Sequence, residues 1–496
     1  MATLAAVDLG AQSGRVALGR FDGERLVMSE THRFPNVPIE AGGGLAWDAA
    51  RIFDGVLDGL GRAAGLADAI DSIGVDAWGV DFGLLDGAGR LVRNPVHYRD
   101  ARRARAFAAV LERVPAREVY ERTGIQLMPI NTLFELAGMV AEEDPALGAA
   151  QTLLLIPDLV HHLLAGARTT EFTNATTTQC LAVRDGGWAR DHLEGLGIPV
   201  GLFPEVVPPG TVLGPVLPEV ARRTGLGAAR VVAVATHDTA SAVAAVPFRA
   251  PGSAYISAGT WSLVGLELAE ARVDDATFAA NLTNEGGIAG TFRLLKNVTG
   301  LWLLHECRRA WEREGLRLDY EALVAMADQA PPLRSLIDPD DPRFARPGDM
   351  AARIREFCAE TGQETPETPA EVVRTVLESL ALAHGQTVAL LREATGAEPA
   401  EIHVVGGGAR NERLCRWTAD AARMPVLAGP EEATLVGNMI GQALATGELG
   451  SLAEGREVVR ASFPPRVYEP SGSAGWDEAG ERFAELLAAP AGRGPG

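Results

Sequence analysis

Lysine is almost absent from this chain of 496 residues: Lys296 is the only one, and arginine carries the rest of the positive charge. A phosphate-binding loop of the G-x-x-x-x-G-K-[ST] kind needs its own lysine and is excluded. Positive charge is scarce altogether, with 45 Lys and Arg against 65 Asp and Glu and a formal net charge of −20. Nucleic acid and anionic membrane surfaces require clustered basic residues, so neither is an expected partner. The four cysteines, Cys180, Cys307, Cys358 and Cys415, are scattered without C-x-x-C spacing, which argues for buried thiols and against zinc or a disulfide framework. No apolar run is long enough to cross a bilayer. Met1–Val7 leads into Asp8 without a basic leader or cleavage-like segment, so a cytoplasmic location is expected.

What is present is a globular composition, 47% hydrophobic and 22% charged, in a chain long enough for two large domains. Val231–Ala235 is five consecutive small or β-branched apolar residues, which predicts a central parallel strand buried on both faces. Thr236-His237-Asp238-Thr239 ends that run, and a helix is predicted from Ala240 onward. Asp238 therefore falls at a strand's C-terminal end, the edge where open α/β sheets bind ligands. The plainer alternative is that Asp238 or Thr239 only caps the helix.

Three glycine-bearing turns accompany this segment. Leu4–Leu9 and Val16–Gly19 predict a hairpin whose tip, Gly10-Ala11-Gln12-Ser13-Gly14-Arg15, lets backbone amides approach a phosphate. The pattern recurs half a chain later, where Ser253–Ser257 and Trp261–Leu268 flank Ala258-Gly259-Thr260. Two lobes that each begin this way suggest an internal duplication. Ile402–Val405 followed by Gly406-Gly407-Gly408 reads as strand, turn and helix, where bare backbone could meet the flat part of a nucleotide. Ordinary turns use glycine as well, so each turn by itself is also compatible with plain connection.

Between the first hairpin and Asp238 lie polar and aromatic stretches: Asp76–Phe82, His97–Asp100, Gly124–Gln126 and Thr173–Gln179. Aromatic rings beside Asn, Gln and Asp suit a polyhydroxylated ligand, with Trp78 as core filler the plainer reading. In the second half, Thr299 is expected to cap a helix toward Gly315. Thr368-Pro369-Ala370-Glu371 is a capping box opening a long helix to Gly396. Gln329–Met350, with five prolines, reads as surface loop, and Ala488–Gly496 as a disordered tail.

Taken together, AVDLGAQSGR, DAWGVDFGLLD, YRDAR, FTNATTTQ, VAVATHDTASAV, SAGTWSL, NLTNEGG, LLKNVTGLWLL and VVGGGARN resemble the FGGY family of carbohydrate kinases, over about Ala5 to Val459. The resemblance implies an α/β fold of two actin-like, RNase H-like lobes with the active site in the cleft between them. It implies a sugar-binding lobe over 1–245, a nucleotide-binding lobe over 246–451, and C-terminal helices over 452–496 that fold back on the first lobe. THDTASA, TNATTTQ, TNEGG and KNVTGLWLL point to the branch that phosphorylates L-rhamnulose at O1 with ATP, giving L-rhamnulose 1-phosphate and ADP in L-rhamnose breakdown. L-Fuculose and D-xylulose stay open as alternative substrates, and an ATP-driven switch on the actin-like fold as an alternative class.

Carried onto this chain, Ala11, Gln12, Ser13, Gly14 and Arg15 would meet the ATP phosphates, Thr260 the γ-phosphoryl region and Gly407 the nucleoside. Gly79, His237, Asp238, Thr239 and Asn297 would line the sugar pocket, with Asp238 as proton acceptor. Asp8 would help hold Mg²⁺ through water. His305 stands where relatives often carry Gln near the nucleotide. Trp78 and Phe82 would offer apolar surface to the sugar's methyl end. Partners would be the sugar and ATP, with the chain a monomer or a dimer.

Overall fold

The computed structural model describes residues 1–249, 252–472 and 474–488. The chain forms two compact units. The first unit comprises Met1–Pro247, Glu267–Leu294 and Glu432–Pro464; the second comprises Phe248–Leu266, Leu295–Glu431 and Pro465 onward. The two units are interleaved along the chain. The helices Ala433–Thr446 and Leu452–Ser462 belong to the first unit, and the terminal helix Trp476–Ala488 to the second.

In the first unit six strands run in the order Thr211–Pro215, Arg230–Ala233, Ser72–Ala77, Ala2–Leu9, Ser13–Phe21 and Leu26–Pro35. Arg230–Ala233 and Ser72–Ala77 are parallel, as are Ser72–Ala77 and Ala2–Leu9, whereas the first hairpin is antiparallel. Side chains alternate across a strand. Ile73, Val75 and Ala77 pack with Ile52, Val56 and Leu60 of the helix Ala49–Ala64. Ser72, Gly74 and Asp76 face Asn438 and Gln442 of the helix Ala433–Thr446. Covering both faces is what makes these strands almost continuously apolar. The strand before Asp238 is parallel only on one side, because Thr211–Pro215 pairs with it antiparallel on the other.

A second sheet has seven strands in the order Thr283–Gly286, Phe292–Thr299, Trp261–Leu268, Ala254–Ala258, Ile402–Val405, Val426–Ala428 and Arg466–Tyr468. The capping box forms as expected, and the helix it opens runs Pro369–Thr395 with Gly396 left-handed at its end. Val372, Val376, Leu380 and Leu391 are fully buried along its stripe.

Two expectations need correction. Thr299 does not cap the next helix: it ends a strand, the helix is Trp302–Arg313, and the carbonyl of Thr260 accepts from the amides of Gly300 and Trp302 instead. Gln329–Met350 is irregular but not simply surface, since Leu336, Ile337 and Phe344 are buried in the core of the second unit. The tail expectation concerns residues 489–496, which lie outside the described residues. All four cysteines are buried free thiols. Among the described residues no helix is long and apolar enough to cross a membrane.

Candidate active site

Asp238 opens the helix Asp238–Ala244, and its position follows from the strand before it and from a buried carboxylate beside it. His237, not Asp238, stands at the N-cap, and no side chain caps this helix end, so the simple capping reading fails. Glu171 fixes the turn. Its carboxylate accepts from the Thr236 amide (2.9 Å) and hydroxyl (2.7 Å), and from the Thr173 amide (2.8 Å) and hydroxyl (2.5 Å). The Thr173 hydroxyl oxygen in turn accepts from the His237 amide at 3.1 Å. One side chain thus ties the Asp238 turn to Phe172–Thr177, the short helix made by FTNATTTQ. Glu171→Gln would turn an amide N–H₂ toward those donors. It is expected to cost about 3 kcal/mol and to lower the midpoint of thermal unfolding; an unchanged melting curve would count against this role.

Asp8 and Asp76 are register partners on adjacent parallel strands, so their carboxylates share one face of the sheet. Asp8 pairs with Arg15, and Arg15 also pairs with Glu432. Burial alone would lower the Arg15 pKa, but the two carboxylates outweigh it and raise the value. Asp76 is fully buried. Burial first, and then the charge of Asp8, hold its pKa well above the usual carboxylate range, against the opposing N–H of Asn438. Its Oδ1 has no hydrogen-bond partner.

Asp238 is the accessible member of this acidic group, with 31% of its side chain exposed against 5% for Asp8. Even so, its dehydrated surroundings, opposed by His237 and helped by Asp8, raise its pKa. The Thr239 hydroxyl donates to Asp238 Oδ1 at 3.1 Å. His237 Nε2 lies 3.4 Å from the same oxygen. Behind His237 stand Glu285 and Arg293, both buried, with His237 Nδ1 3.2 Å from Glu285 Oε2 and 3.1 Å from Arg293 Nη2. Burial pushes the Glu285 pKa up, but Arg293 and His237 more than reverse this and hold it low.

Gly79 lies on the same sheet edge, next to the bridge between Ala77 and His237. A Cβ there would come within 2.8 Å of the Thr177 hydroxyl, so glycine is required. Val80 follows with φ 67°, a strained value for a β-branched residue, held by Thr177 on its amide and Thr132 on its carbonyl. Trp78 and Trp47 both donate their indole N–H groups to buried Asp81, which also pairs with Arg103. Phe82 is not part of this wall. Beyond the Val80 turn it begins the strand Phe82–Leu85 and packs in a separate core with Leu133, Phe134 and Leu155.

At the first hairpin's tip, Asn36 donates to the carbonyls of Gly10 and Gln12, each at 3.0 Å, which sets the direction of the peptide planes. Gln12 Nε2 is buried without a partner. Gly14 is needed for packing as well, since a Cβ there would strike the Phe34 ring.

Thr260, Asn297, His305 and Gly407 belong to the second unit. The Thr260 turn is laced to the start of the helix carrying His305 by Leu301 N–H to Gly259 C=O, 2.9 Å, and Trp302 N–H to Thr260 C=O, 3.2 Å. The His305 ring meets Tyr320 edge-on, and the Tyr320 hydroxyl accepts from Asn411, just after the Gly407 turn. His305 therefore joins the glycine turn through one ring. Burial, and after it Arg308 and Arg309, lower its pKa to about 4, and its Nδ1 has no partner. A Cβ at Gly407 would meet nothing within 4 Å, whereas one at Gly408 would strike Ala258. Asn297 is half-buried on the strand Phe292–Thr299.

Sequence reasoning passed over Glu171, Glu285, Arg293 and Asn438. Glu285 stood inside a noted segment, NLTNEGG, and Glu171 immediately before another, FTNATTTQ.

Comparison with known proteins identifies the family. Residues 3–245 match the N-terminal domain of the FGGY family of carbohydrate kinases, and residues 254–446 match its C-terminal domain. A rhamnulokinase of Bacteroides thetaiotaomicron is 44% identical over 97% of this chain and 99% of its own length. A rhamnulokinase of Enterococcus faecalis is 39% identical over 94% of each. Among solved structures, xylulose kinase from Lactobacillus acidophilus superposes with a TM-score of 0.81 at 18% identity, over 99% of each chain. Glycerol kinase from Plasmodium falciparum gives 0.77 at 14% identity, over 98% of this chain and 97% of that one. The chain belongs to the FGGY family of carbohydrate kinases.

Proposed function

We propose that this chain transfers the γ-phosphoryl group of ATP to O1 of L-rhamnulose, giving L-rhamnulose 1-phosphate and ADP. The 44% identity to a rhamnulokinase over almost the whole chain supports the choice of sugar. The observation that carries the chemistry is Asp238, an accessible carboxylate at a strand's C-terminal edge with His237 and Thr239 on one of its oxygens. In the reaction O1 forms a bond to the γ-phosphorus, and the bond from that phosphorus to the β–γ bridging oxygen breaks, its electron pair leaving on ADP. The O1 proton passes to Asp238. A carboxylate suffices, because in a loose transition state the proton can leave late.

In this reading the Ala11–Arg15 turn and Thr260 meet the phosphates, Gly407 and His305 the nucleoside, and Gly79, His237, Thr239 and Asn297 the sugar. The unpartnered Gln12 Nε2 and the open face of Gly407 support those roles. Arg15 would act mainly by holding Asp8, since its guanidinium is shared between Asp8 and Glu432.

Mg²⁺ fits Asp8 and Asp76 as a hydrated ion. Their carboxylates lie side by side, Asp76 Oδ1 has no partner, and among the described residues no group of three or more His, Cys, Asp or Glu could enclose a metal. A cation that keeps most of its waters and uses one or two carboxylates together with phosphate oxygens matches that donor set. When bound, it would neutralise phosphate charge. The same reading puts the reaction in the cytoplasm, where ATP is available.

L-Rhamnulose ends in a methyl group, so its pocket should offer apolar surface there, but Phe82 lies in a separate core and Trp78 is packed as core filler beside Trp47. Such a surface rejects an added hydroxyl only modestly, on the order of 10²-fold. Under one set of conditions, kcat/KM is expected to be highest for L-rhamnulose, lower for L-fuculose and D-xylulose, and lowest for glycerol. D-Xylulose or glycerol in first place would sink the choice of sugar.

A further inference from the structure

The two nitrogens of His237 face different chemistry, and that decides where the ring carries its proton. On one edge Arg293 Nη2 lies 3.1 Å from Nδ1. Glu285 Oε2 lies 3.2 Å from Nδ1 and 3.2 Å from the same guanidinium nitrogen. On the other edge Nε2 lies 3.4 Å from Asp238 Oδ1. A guanidinium has donors and no acceptor. It can sit at hydrogen-bonding distance from Nδ1 only where Nδ1 offers its lone pair, so the ring proton belongs on Nε2, facing Asp238. The opposite tautomer could point its N–H at Glu285, but it would set that N–H against the guanidinium as well and leave a lone pair facing Asp238. Glu285 does not need the ring's proton, because Arg293 supplies its counter-charge.

We propose that Arg293, held by Glu285, fixes His237 as the Nε2–H tautomer and thereby leaves Oδ2 of Asp238 as the oxygen that takes the substrate's proton. This rests on the reading of Asp238 as proton acceptor. Nε2 and the Thr239 hydroxyl both address Oδ1, so these side-chain donors converge on one oxygen and leave the other for the incoming hydroxyl. Arg293 is itself immobilised, with no exposed surface and its Nε donating to the Gly286 carbonyl at 2.9 Å. It is a positioning residue that acts through His237, and all of these groups lie within the first unit.

The test reads the tautomer without turnover. The full chain is labelled with ¹⁵N-histidine, and the His237 signals are assigned by their loss in His237→Gln. At pH 8 the wild-type ring is expected to show a lone-pair-type shift at Nδ1 and an N–H-type shift at Nε2. A ring protonated at Nδ1, alone or together with Nε2, overturns the proposal. Removing Arg293 alone would strand a buried carboxylate, so the variant is Arg293→Met combined with Glu285→Leu. There the proton is expected to spread over both nitrogens, with kcat down about 10²-fold and KM for the ketose little changed. A ring that stays Nε2–H in this variant, or a shifted ring with wild-type kcat, also overturns it. Because the ring is read in the absence of sugar and ATP, a failure of the proposed reaction and a failure of this assignment are separate results.

Discussion

Asp238→Asn is expected to lower kcat by about 10²–10⁴-fold while the protein still folds and still binds its ketose. The amide keeps the shape of the carboxylate and can accept the Thr239 hydroxyl on its oxygen, so the turn held by Glu171 has no reason to move. What disappears is the acceptor for the O1 proton. The loss should fall on kcat rather than on KM, because the interaction matters as the O–P bond forms. Stopped-flow or coupled measurement of ADP release, alongside calorimetric titration with the sugar, separates the two. A near-normal kcat would remove Asp238 from the chemistry.

Gly437→Ala should have the largest effect on folding. The helices Asp238–Ala244 and Ala433–Thr446 cross so closely that a Cβ at Gly437 would land on the Ser241 carbonyl, which is backbone and cannot rotate away. The helices must separate, at a cost of about 3 kcal/mol or more. Separation would also move the helix that begins with Asp238, and would pull Asn438 and Gln442 away from Asp76, Ser72 and Ala5. Loss of soluble protein, or a first-unit melting transition lowered by several degrees together with lost activity, is expected. Gly441→Ala is the control. Its Cβ would sit 3.3 Å from Val234, and the gain in helix propensity, about 1 kcal/mol, offsets that tightness. Equal damage from the two substitutions would mean that the helix crossing is not what Gly437 protects.

The parts of the molecule that were legible in its sequence are those whose cause is local. Five apolar residues followed by Thr-His-Asp-Thr are enough to place Asp238 at a strand end, and the glycine-tipped hairpins and the Thr368–Glu371 capping box carry their signals within a few residues. What was not legible depends on distant partners. Arg293 and Arg103 look like surface charges until the fold buries them against Glu285 and against Asp81 with Glu135. Asn438 and Gln442 recur at the four-residue spacing of one helix face, but nothing nearby says that the face meets Asp76 and Ser72, more than 360 residues away. Thr299 was misread for a related reason: the acceptor at that helix start is the Thr260 carbonyl, from another segment of the chain. Phe82 went astray because the chain turns at Val80, with φ 67°, so that Phe82 begins a new strand, Phe82–Leu85, in a different core from Trp78.

Phosphorus NMR of the product tests the central claim most directly. The protein is incubated with ATP, Mg²⁺ and L-rhamnulose, and the new ³¹P signal is recorded without proton decoupling. Transfer to O1 places phosphorus next to a CH₂ group, so a phosphate-ester triplet that grows in step with ADP is expected, with no signal growth when the sugar is withheld. Accumulation of inorganic phosphate at the same rate with and without sugar would contradict the account, and so would an ester doublet, which would put the phosphate on a secondary hydroxyl.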